Sequence, residues 1–212
     1  MKSIKDLHDL IDKFAGKNEA SIQSPTEKDL AIYYSSLDLQ EELYAQYPVN
    51  IKYNRYLDPF KKQDTLSVQA GNVTLPEDFF RERSFLTNDQ RPIELLDDHQ
   101  WNFAINDPVA QPSVSYPIGT IENVNDSSSL ILLPSTGITE VTIKYFRKPV
   151  KQKFAFTLDG SRYVYDDENS IDIEFGEELF PKLVPKVLSQ FGIEIRDEML
   201  VRYFEGQKAQ EQ

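Results

Sequence analysis

The residues with the clearest potential for acid–base chemistry are three neighbours, Asp97, Asp98 and His99. A carboxylate beside an imidazole can orient it as a general base, and the two together can bind a metal ion. Adjacent residues on a strand point to opposite faces, however, and no serine-containing nucleophile elbow occurs elsewhere. The other histidine, His8, has no partner at metal-ligand spacing. We therefore expect a solvated surface at positions 97–99 and a partly exposed structural histidine at position 8.

A second group with chemical potential is an acidic series that consists of Asp159, Asp166, Asp167, Glu168 and Asp172. Paired carboxylates can hold calcium or the two magnesium ions of a nuclease. The spacing lacks the alternate ligand positions, the central glycine and the twelfth-position glutamate of a calcium loop. A solvated turn that leads into the C-terminal helices is the favoured interpretation, and a metal-dependent nuclease is the alternative from another functional class.

Composition narrows the functional classes. The 212 residues carry a net charge of −12, which opposes broad wrapping around nucleic acid because such binding requires a basic face. The chain has no cysteine, so it has no disulfide framework, thiolate nucleophile or cysteine-bound metal site. Its apolar runs are too short for a membrane span, and its N-terminal stretch lacks the apolar core of a secretory signal. We expect a soluble, non-enzymatic protein that uses no cofactor, contacts no membrane and assembles in a reducing cytoplasm.

Three segments of different character organise the chain, at residues 1–50, 51–160 and 161–212. The first is predicted to be a helical hairpin. Its first helix has apolar residues at three- and four-residue spacing, namely Ile4, Leu7, Ile11 and Phe14. Its second helix is predicted to begin at Pro25, because Ser24 can cap it and Glu27 completes a capping box. The buried stripe expected on this second helix is Leu30, Tyr33, Leu37 and Tyr44, with Tyr34 beside it.

The middle segment is predicted to be mainly β structure, because short runs alternate with turn residues and prolines. A hairpin is predicted where residues 66–68 and 73–75 alternate apolar and polar around Gly71-Asn72. Strands at 116–124, 130–133 and 140–146 are separated by turn signals, which favours an antiparallel meander. The stretch 93–105 fits a strand and a short helical turn equally well.

The last segment is predicted to be helical from Glu177 onward, because its apolar residues keep a 3.6-residue period. Gly192 is expected to end this helix in a left-handed conformation that returns Ile193 against Leu188. Another amphipathic helix is predicted at 197–205. Helices at both ends with strands between them predict an α+β fold, in which N- and C-terminal helices form one bundle and a central antiparallel β region projects from it.

Two groups of residues are candidates for contact surfaces. The stretch YFRKPVKQKFAF at 145–156 places four cations at the end of a predicted strand, namely Arg147, Lys148, Lys151 and Lys153. Four tyrosines crowd the junction between the second helix and the β region, namely Tyr44, Tyr47, Tyr53 and Tyr56. Taken alone, the cations are typical of a solvated strand end, and the tyrosines are as typical of core packing as of an interface.

Several of these features together resemble the ring or adaptor proteins of crAss-like phages, which are short-tailed viruses of gut Bacteroidetes hosts. The resemblance covers most of the chain outside residues 61–111. It rests on Tyr145-Phe146-Arg147-Lys148-Pro149, on Phe154 and Phe156, on Tyr165-Asp166, on SIDIEF at 170–175, on Phe191-Gly192-Ile193 and on the Ser24-Pro25-Thr26-Glu27 helix start.

The resemblance implies a virion structural protein of the neck, assembled in the bacterial host cytoplasm and arranged as a ring beneath the portal. Its implied partners are further copies of the chain in a dodecameric ring, the portal protein and further ring or tail proteins. DNA passes through the lumen of such a ring without sequence-specific binding. A tail-hub or other minor virion component is the alternative within virion structure.

Each copy in a cyclic ring must offer one face to a complementary face of its neighbour. We therefore expect the four cations of the 145–156 stretch to meet acidic residues of the next copy, such as Asp166, Asp167 and Glu168. The four junction tyrosines are included in the same predicted subunit interface. The remaining negative surface is expected to line the channel.

Overall fold

A computed structural model describes residues 3–17, 24–47, 51–109, 111–124, 127–160 and 162–193 of the chain. Its helices are α1 (Ile4–Lys17), α2 (Pro25–Gln46), α3 (Ile51–Tyr56), α4 (Asp98–Asn106) and α5 (Phe180–Gln190). Its strands are β1 (Lys61–Ser67), β2 (Asn72–Thr74), β3 (Phe79–Thr87), β4 (Glu94–Leu95), β5 (Ile118–Val124), β6 (Ser127–Leu133), β7 (Glu140–Arg147), β8 (Phe156–Asp159) and β9 (Arg162–Tyr165). The predicted α+β fold class is confirmed.

The chain divides into two compact units. The first unit comprises Met1–Pro59 and Pro149–Gln212, so it contains the terminal helices and also the β8–β9 hairpin. The second unit is Phe60–Lys148 and contains β1 to β7 together with α4. The stretch that precedes it was predicted as β structure from residue 51, and that prediction is wrong, because α3 and a 3₁₀ turn at Asp58–Phe60 occupy it.

Local hydrogen bonds begin α2 where the sequence predicts. The Ser24 hydroxyl accepts a hydrogen bond from the Glu27 backbone N–H (3.3 Å), and the Glu27 carboxylate accepts one from the Ser24 backbone N–H (2.8 Å). This capping box satisfies amides that have no partner within the helix, and Pro25 follows at the start. The hydrogen bonds from Ser24 lower the pKa of the Glu27 carboxyl below its ordinary value.

α1 and α5 bury the residues that their periodicity predicts. On α1 the apolar stripe from Ile4 to Phe14 is buried. α5 runs antiparallel to α2, because Lys186 pairs with Asp38 while Lys182, one turn earlier, pairs with Glu42. The end of α5 is also confirmed. Gly192 has a φ of +70°, and the Ile193 N–H donates to the Leu188 carbonyl (3.0 Å).

α2 buries a different face from the predicted one. Leu30 and Tyr34 are 52% and 55% exposed, and Tyr33, Leu37 and Tyr44 are only half-buried. The buried residues are Pro25, Lys28, Ala31, Ile32, Ser35, Ser36, Leu39, Gln40 and Leu43. The predicted stripe is therefore wrong. Apolar residues occur on both sides of this helix, and the side with small residues at 31, 35 and 36 allows neighbouring helices to approach closely.

The second unit contains two sheets, ordered β1-β7-β3 and β2-β6-β5-β4. All pairings are antiparallel except β4 with β5. Ten buried residues form one core cluster that draws on both sheets, namely Val73, Leu75, Phe85, Ile93, Leu130, Leu132, Ile138, Val141, Ile143 and Tyr145.

The predicted β1–β2 hairpin and the predicted meander of β5, β6 and β7 both differ from the observed pairing, because successive strands join different sheets. A tight turn at Ala70-Gly71 joins Gln69 to Asn72, but β1 then pairs with β7 and β2 with β6. The predicted hairpin is therefore wrong, although its turn exists. β5 and β6 pair as predicted, whereas β7 lies in the other sheet, so the three-stranded meander is also wrong. The ambiguous stretch 93–105 contains both structures, β4 and then α4.

Candidate interaction surfaces

His8 is part of a buried structural contact. Its side chain is 3% exposed, and its Nε2 lies 2.9 Å from Asp29 Oδ1. The Asp29 carboxylate also accepts the Phe154 backbone N–H (3.0 Å), and the Phe154 ring stacks on the imidazole with 4.5 Å between centroids. The imidazole is therefore fully buried rather than partly exposed, and it joins α1, α2 and the segment before β8.

The Asp97-Asp98-His99 group begins α4. Asp97 Oδ1 accepts the Gln100 backbone N–H (2.8 Å), and the Gln100 side chain accepts the Asp97 N–H (3.2 Å). His99 makes an edge-to-face contact with Phe103, with 4.8 Å between ring centroids. The Asp97 carboxylate thus serves as a helix cap. The Asp97-x-x-Gln100 pattern was a sequence signal that favoured the helix over a strand.

The acidic series is dispersed among separate local contacts. Asp166 accepts hydrogen bonds from the Asn169 backbone and side chain, and Asp167 lies 3.3 Å from the Tyr165 hydroxyl. Asp172 accepts the Ile4 N–H at the start of α1 (2.7 Å). Across the described part of the chain, no three His, Asp or Glu side chains come together as a metal-binding group.

The four cations of the 145–156 stretch are divided between the units. Arg147 ends β7 and Lys148 follows it in the second unit. The Arg147 guanidinium lies 5.7 Å from the Phe60 ring centroid, and Lys148 Nζ donates to the Glu77 carbonyl (3.2 Å). Lys151 and Lys153 belong to the first unit. The Lys151 ammonium lies 5.6 Å from the Tyr33 ring centroid, and Lys153 is exposed.

The other predicted interface residues lie in the first unit. Tyr44 stacks on Tyr47 with 6.4 Å between centroids, and Tyr53 meets Tyr56 edge to face at 5.9 Å. All four tyrosines are half-buried. Their partners in the first unit include Lys182, whose ammonium lies 5.5 Å from the Tyr53 ring centroid. In the acidic turn, Asp167 and Glu168 are exposed, whereas Asp166 is half-buried and holds the turn together.

A continuous apolar surface lies on the side of α2 that faces away from its buried residues. We call it the outer α2 face and define it as Leu30, Tyr33, Tyr34 and Leu37. Spacings of three, four and seven residues place these side chains on one side of the helix. Residues 151–154 border the face through the Lys151–Tyr33 contact, and α5 borders its other side through the Lys186–Asp38 pair.

The β8–β9 hairpin carries a second apolar surface of the first unit. Among the described strands β8 pairs only with β9, from Phe156 opposite Tyr165 to Asp159 opposite Arg162, and every residue of β8 is exposed. We define the hairpin face as Phe156, Leu158 and Tyr163, which alternation and pairing place on one side. Phe156 meets Tyr163 edge to face at 4.8 Å, and Leu158 is 65% exposed. This hairpin was not predicted, although Asp159-Gly160 between two alternating runs is a local signal for one.

The second unit exposes several large apolar side chains on α4 and on the loop that follows. We call this set the apolar arm and define it as Phe103, Ile105, Val109, Val114 and Tyr116, all of which are exposed. No residue of α4 is buried, so its capping box and the side-chain bonds of Asn102 and Asn106 to preceding carbonyls stabilise it locally. A groove of 590 Å³ runs along the helix between His99, Phe103 and Pro108.

No protein-family model matches the chain, and no curated protein matches it either. None of the described helices is long and apolar enough to cross a membrane.

Proposed function

We propose that the chain is a non-enzymatic virion protein that forms a ring in the head-to-tail connector below the portal of a short-tailed phage. The observation that carries this proposal is the exposure of large apolar side chains on both compact units. Contiguous exposed apolar surfaces mark sites of protein association, whereas single exposed residues do not. The first unit offers the outer α2 face and the hairpin face, and the second offers the apolar arm.

A connector needs several such surfaces because each copy binds neighbours within its ring and other proteins above and below it. Three separate apolar surfaces on one chain fit that requirement better than a single pocket does. A net charge of −12 allows a lumen that repels DNA and lets it pass without adhering.

Imaging of the purified protein alone and with its portal protein tests this proposal directly. We expect closed rings in negative-stain images and a ring mass by mass photometry. In maps of the assembled neck we expect carboxylates to face the lumen. A lumen lined by Arg147 and Lys148 contradicts the proposed channel, and a chain that stays monomeric with its portal contradicts the proposed ring.

The basic stretch provides a second test. Changing Arg147, Lys148, Lys151 and Lys153 to glutamate should change the melting temperature of the isolated chain far less than the ring yield, because surface contacts of a cation with a ring face contribute only about 0.5–1 kcal/mol each. Ring yield should fall sharply, because every subunit repeats the lost contact. Raised salt should reduce wild-type yield in the same way, since charges are screened beyond about 8 Å at physiological ionic strength. If the charge-reversed variant forms rings normally, these four cations belong to a solvated strand end and not to a subunit interface.

A tail hub or another minor virion component also requires several contact surfaces. Its position in particle images separates it from a connector. Density for this chain directly beneath the portal supports the connector, and density confined to the distal tail supports the hub.

A further inference from the structure

We propose that the hairpin face of one copy docks on the outer α2 face of the next copy, and that this repeated contact closes the ring. The inference rests on the proposed function and names the two surfaces that mediate self-association. Both belong to the first unit. Each remains exposed within a single chain, so a contact between them has to join two chains.

The hairpin is poorly supported within its own chain. A two-stranded hairpin is marginally stable in water unless its apolar face packs against another element. Here Leu158 and Tyr163 are 65% and 50% exposed, although the face consists of two aromatic side chains and one leucine. At the base of the hairpin, Tyr165 contacts the Lys5 ammonium and the Asp167 carboxylate, one charge of each sign. An apolar partner surface would therefore stabilise the hairpin without burying an unbalanced charge.

The outer α2 face has the length and the apolar character to receive it. Leu30 and Leu37 are separated by about 10 Å along the helix axis, and a four-residue strand is about 13 Å long. Leu30 and Tyr34 are each more than half exposed. The segment 151–154 and α5 border this face on two sides and leave a shallow apolar strip between them.

Charge complementarity favours a second copy as the occupant. Helical spacing places the exposed carboxylates of Glu27 and Glu41 beside the outer α2 face, whereas residues 153–165 carry two cations, Lys153 and Arg162, and one aspartate. Most surfaces of a chain with a net charge of −12 repel each other, but this pair attracts. Lys153, exposed just before the hairpin, is the cation best placed to meet acidic residues of a neighbouring α2, such as Glu27.

The two surfaces differ from each other, so their contact is heterologous. A heterologous contact leaves one hairpin face and one outer α2 face free at the ends of any open chain of subunits. Subunits therefore continue to add until the rotation between neighbours brings the two ends of the open chain together. This geometry generates a ring, whereas a self-complementary patch generates a closed dimer.

Two matched variants test the pairing. Tyr34→Lys places a cation on the outer α2 face against a basic hairpin, and Leu158→Glu places an anion on the hairpin against an acidic α2. Thr157→Glu is the control, because Thr157 is exposed on the same strand but on the opposite side from Leu158. Positions 34 and 158 are both more than half exposed, so circular dichroism and melting temperature should match wild type.

We expect each interface variant alone to lose at least about tenfold in ring yield, while the control forms rings normally. An equimolar mixture of the two variants should give heterodimers and nothing larger by native mass spectrometry. In that dimer the intact hairpin of the Tyr34→Lys chain docks on the intact outer α2 face of the Leu158→Glu chain. The two surfaces that remain free each carry a substitution, so no third copy can bind. Normal rings from either interface variant overturn the pairing. A mixture that stays monomeric also overturns it.

Cross-linking gives an independent readout because the chain has no cysteine of its own. A chain with both Tyr34→Cys and Leu158→Cys should form a ladder of disulfide-linked oligomers under oxidation. The pair Tyr34→Cys and Thr157→Cys should remain monomeric. Equal ladders from the two double-cysteine chains contradict the pairing but leave the proposed ring intact. The same holds if neither chain forms a ladder although both assemble into rings like those of wild type. A wild-type chain that forms no ring alone or with its portal contradicts the proposed function instead.

Discussion

The two units differ in how they accommodate buried polar groups. In the second unit, the buried Tyr145 hydroxyl lies 2.8 Å from an Asp64 carboxylate oxygen and 2.9 Å from one of Asp78, so its donor is satisfied. In the first unit, the Ser35 and Ser36 hydroxyls are fully buried, and neither has a hydrogen-bond partner among the described residues. A buried hydroxyl without a partner costs about 1–3 kcal/mol, whereas a satisfied one is nearly neutral or favourable.

This difference parallels the distribution of apolar residues. The second unit gathers ten residues into one core cluster. The first unit turns small and polar residues of α2 inward and leaves Leu30 and Tyr34 outward. We infer that the unpartnered hydroxyls and the outward Leu30 and Tyr34 lower the stability of the first unit in an isolated chain.

The largest expected effect comes from a charge placed in the helical core. Leu183 on α5 is fully buried, so Leu183→Asp should destabilise the first unit by roughly 4 kcal/mol or more. Hydrogen exchange should show loss of protection in α2 while β7 amides stay protected. Leu30→Asp is the matched control, because this leucine is half exposed on the same bundle, and it should cost less than about 1 kcal/mol in the isolated chain. Simultaneous loss of protection in β7 would show that the units do not unfold separately.

The reciprocal change concerns the sheet core. Phe85 in β3 is 1% exposed, and Phe85→Ala should cost about 3–5 kcal/mol through lost burial and a cavity. Urea unfolding followed by hydrogen exchange should locate this loss in β1, β3 and β7. If α5 amides lose protection before those of β1, β3 and β7, the first unit remains the less stable one even after this substitution.

A smaller effect is expected from the satisfied tyrosine. Tyr145→Phe should lower the free energy of unfolding by about 1–2 kcal/mol near neutral pH, because two carboxylates lose their donor. Burial, followed by the hydrogen bond to Asp64, raises the pKa of the Tyr145 hydroxyl above its ordinary value near 10. The hydroxyl therefore contributes its full stabilisation below about pH 10 and loses it as the pH rises through the folded-state pKa.

Urea titrations at about pH 8 and about pH 11 measure this dependence. Wild type should lose more stability than Tyr145→Phe between the two values. Equal losses in both proteins would mean that another group determines the alkaline sensitivity.

The smallest expected effect is a gain. Ser35→Ala removes a buried hydroxyl that has no described partner and adds helix propensity, so it should raise the free energy of unfolding by about 0.5–1 kcal/mol. Ser189→Ala on α5 is the control, since the exposed Ser189 hydroxyl donates to the Lys186 carbonyl (2.7 Å) and its removal should change stability by less than about 0.5 kcal/mol. A loss of stability in Ser35→Ala would indicate a hydrogen bond to a buried water.

Features that depend on neighbours in sequence were predictable. The Ser24–Glu27 capping box, the Gly192 helix end and the buried stripe of α1 all agree with expectation. Each involves hydrogen bonds or periodicity within a few residues, so the local sequence contains the information. The Asp97-x-x-Gln100 cap and the Asp159-Gly160 turn carried the same kind of local signal for α4 and for the β8–β9 hairpin.

Only the tertiary structure decided which face of α2 is buried and which strands pair. α2 has apolar residues on both sides, so its periodicity alone allows either side to be the buried one. Close packing against α1 and α5 selects the side with Ala31, Ser35 and Ser36. The Gly71 turn exists as predicted, yet β1 and β2 join different sheets because burial on the shared core determines their partners. Such choices are made by residues far apart in sequence. The sequence therefore determined where helices and turns begin and end, and long-range packing determined which apolar surfaces were left open for partners.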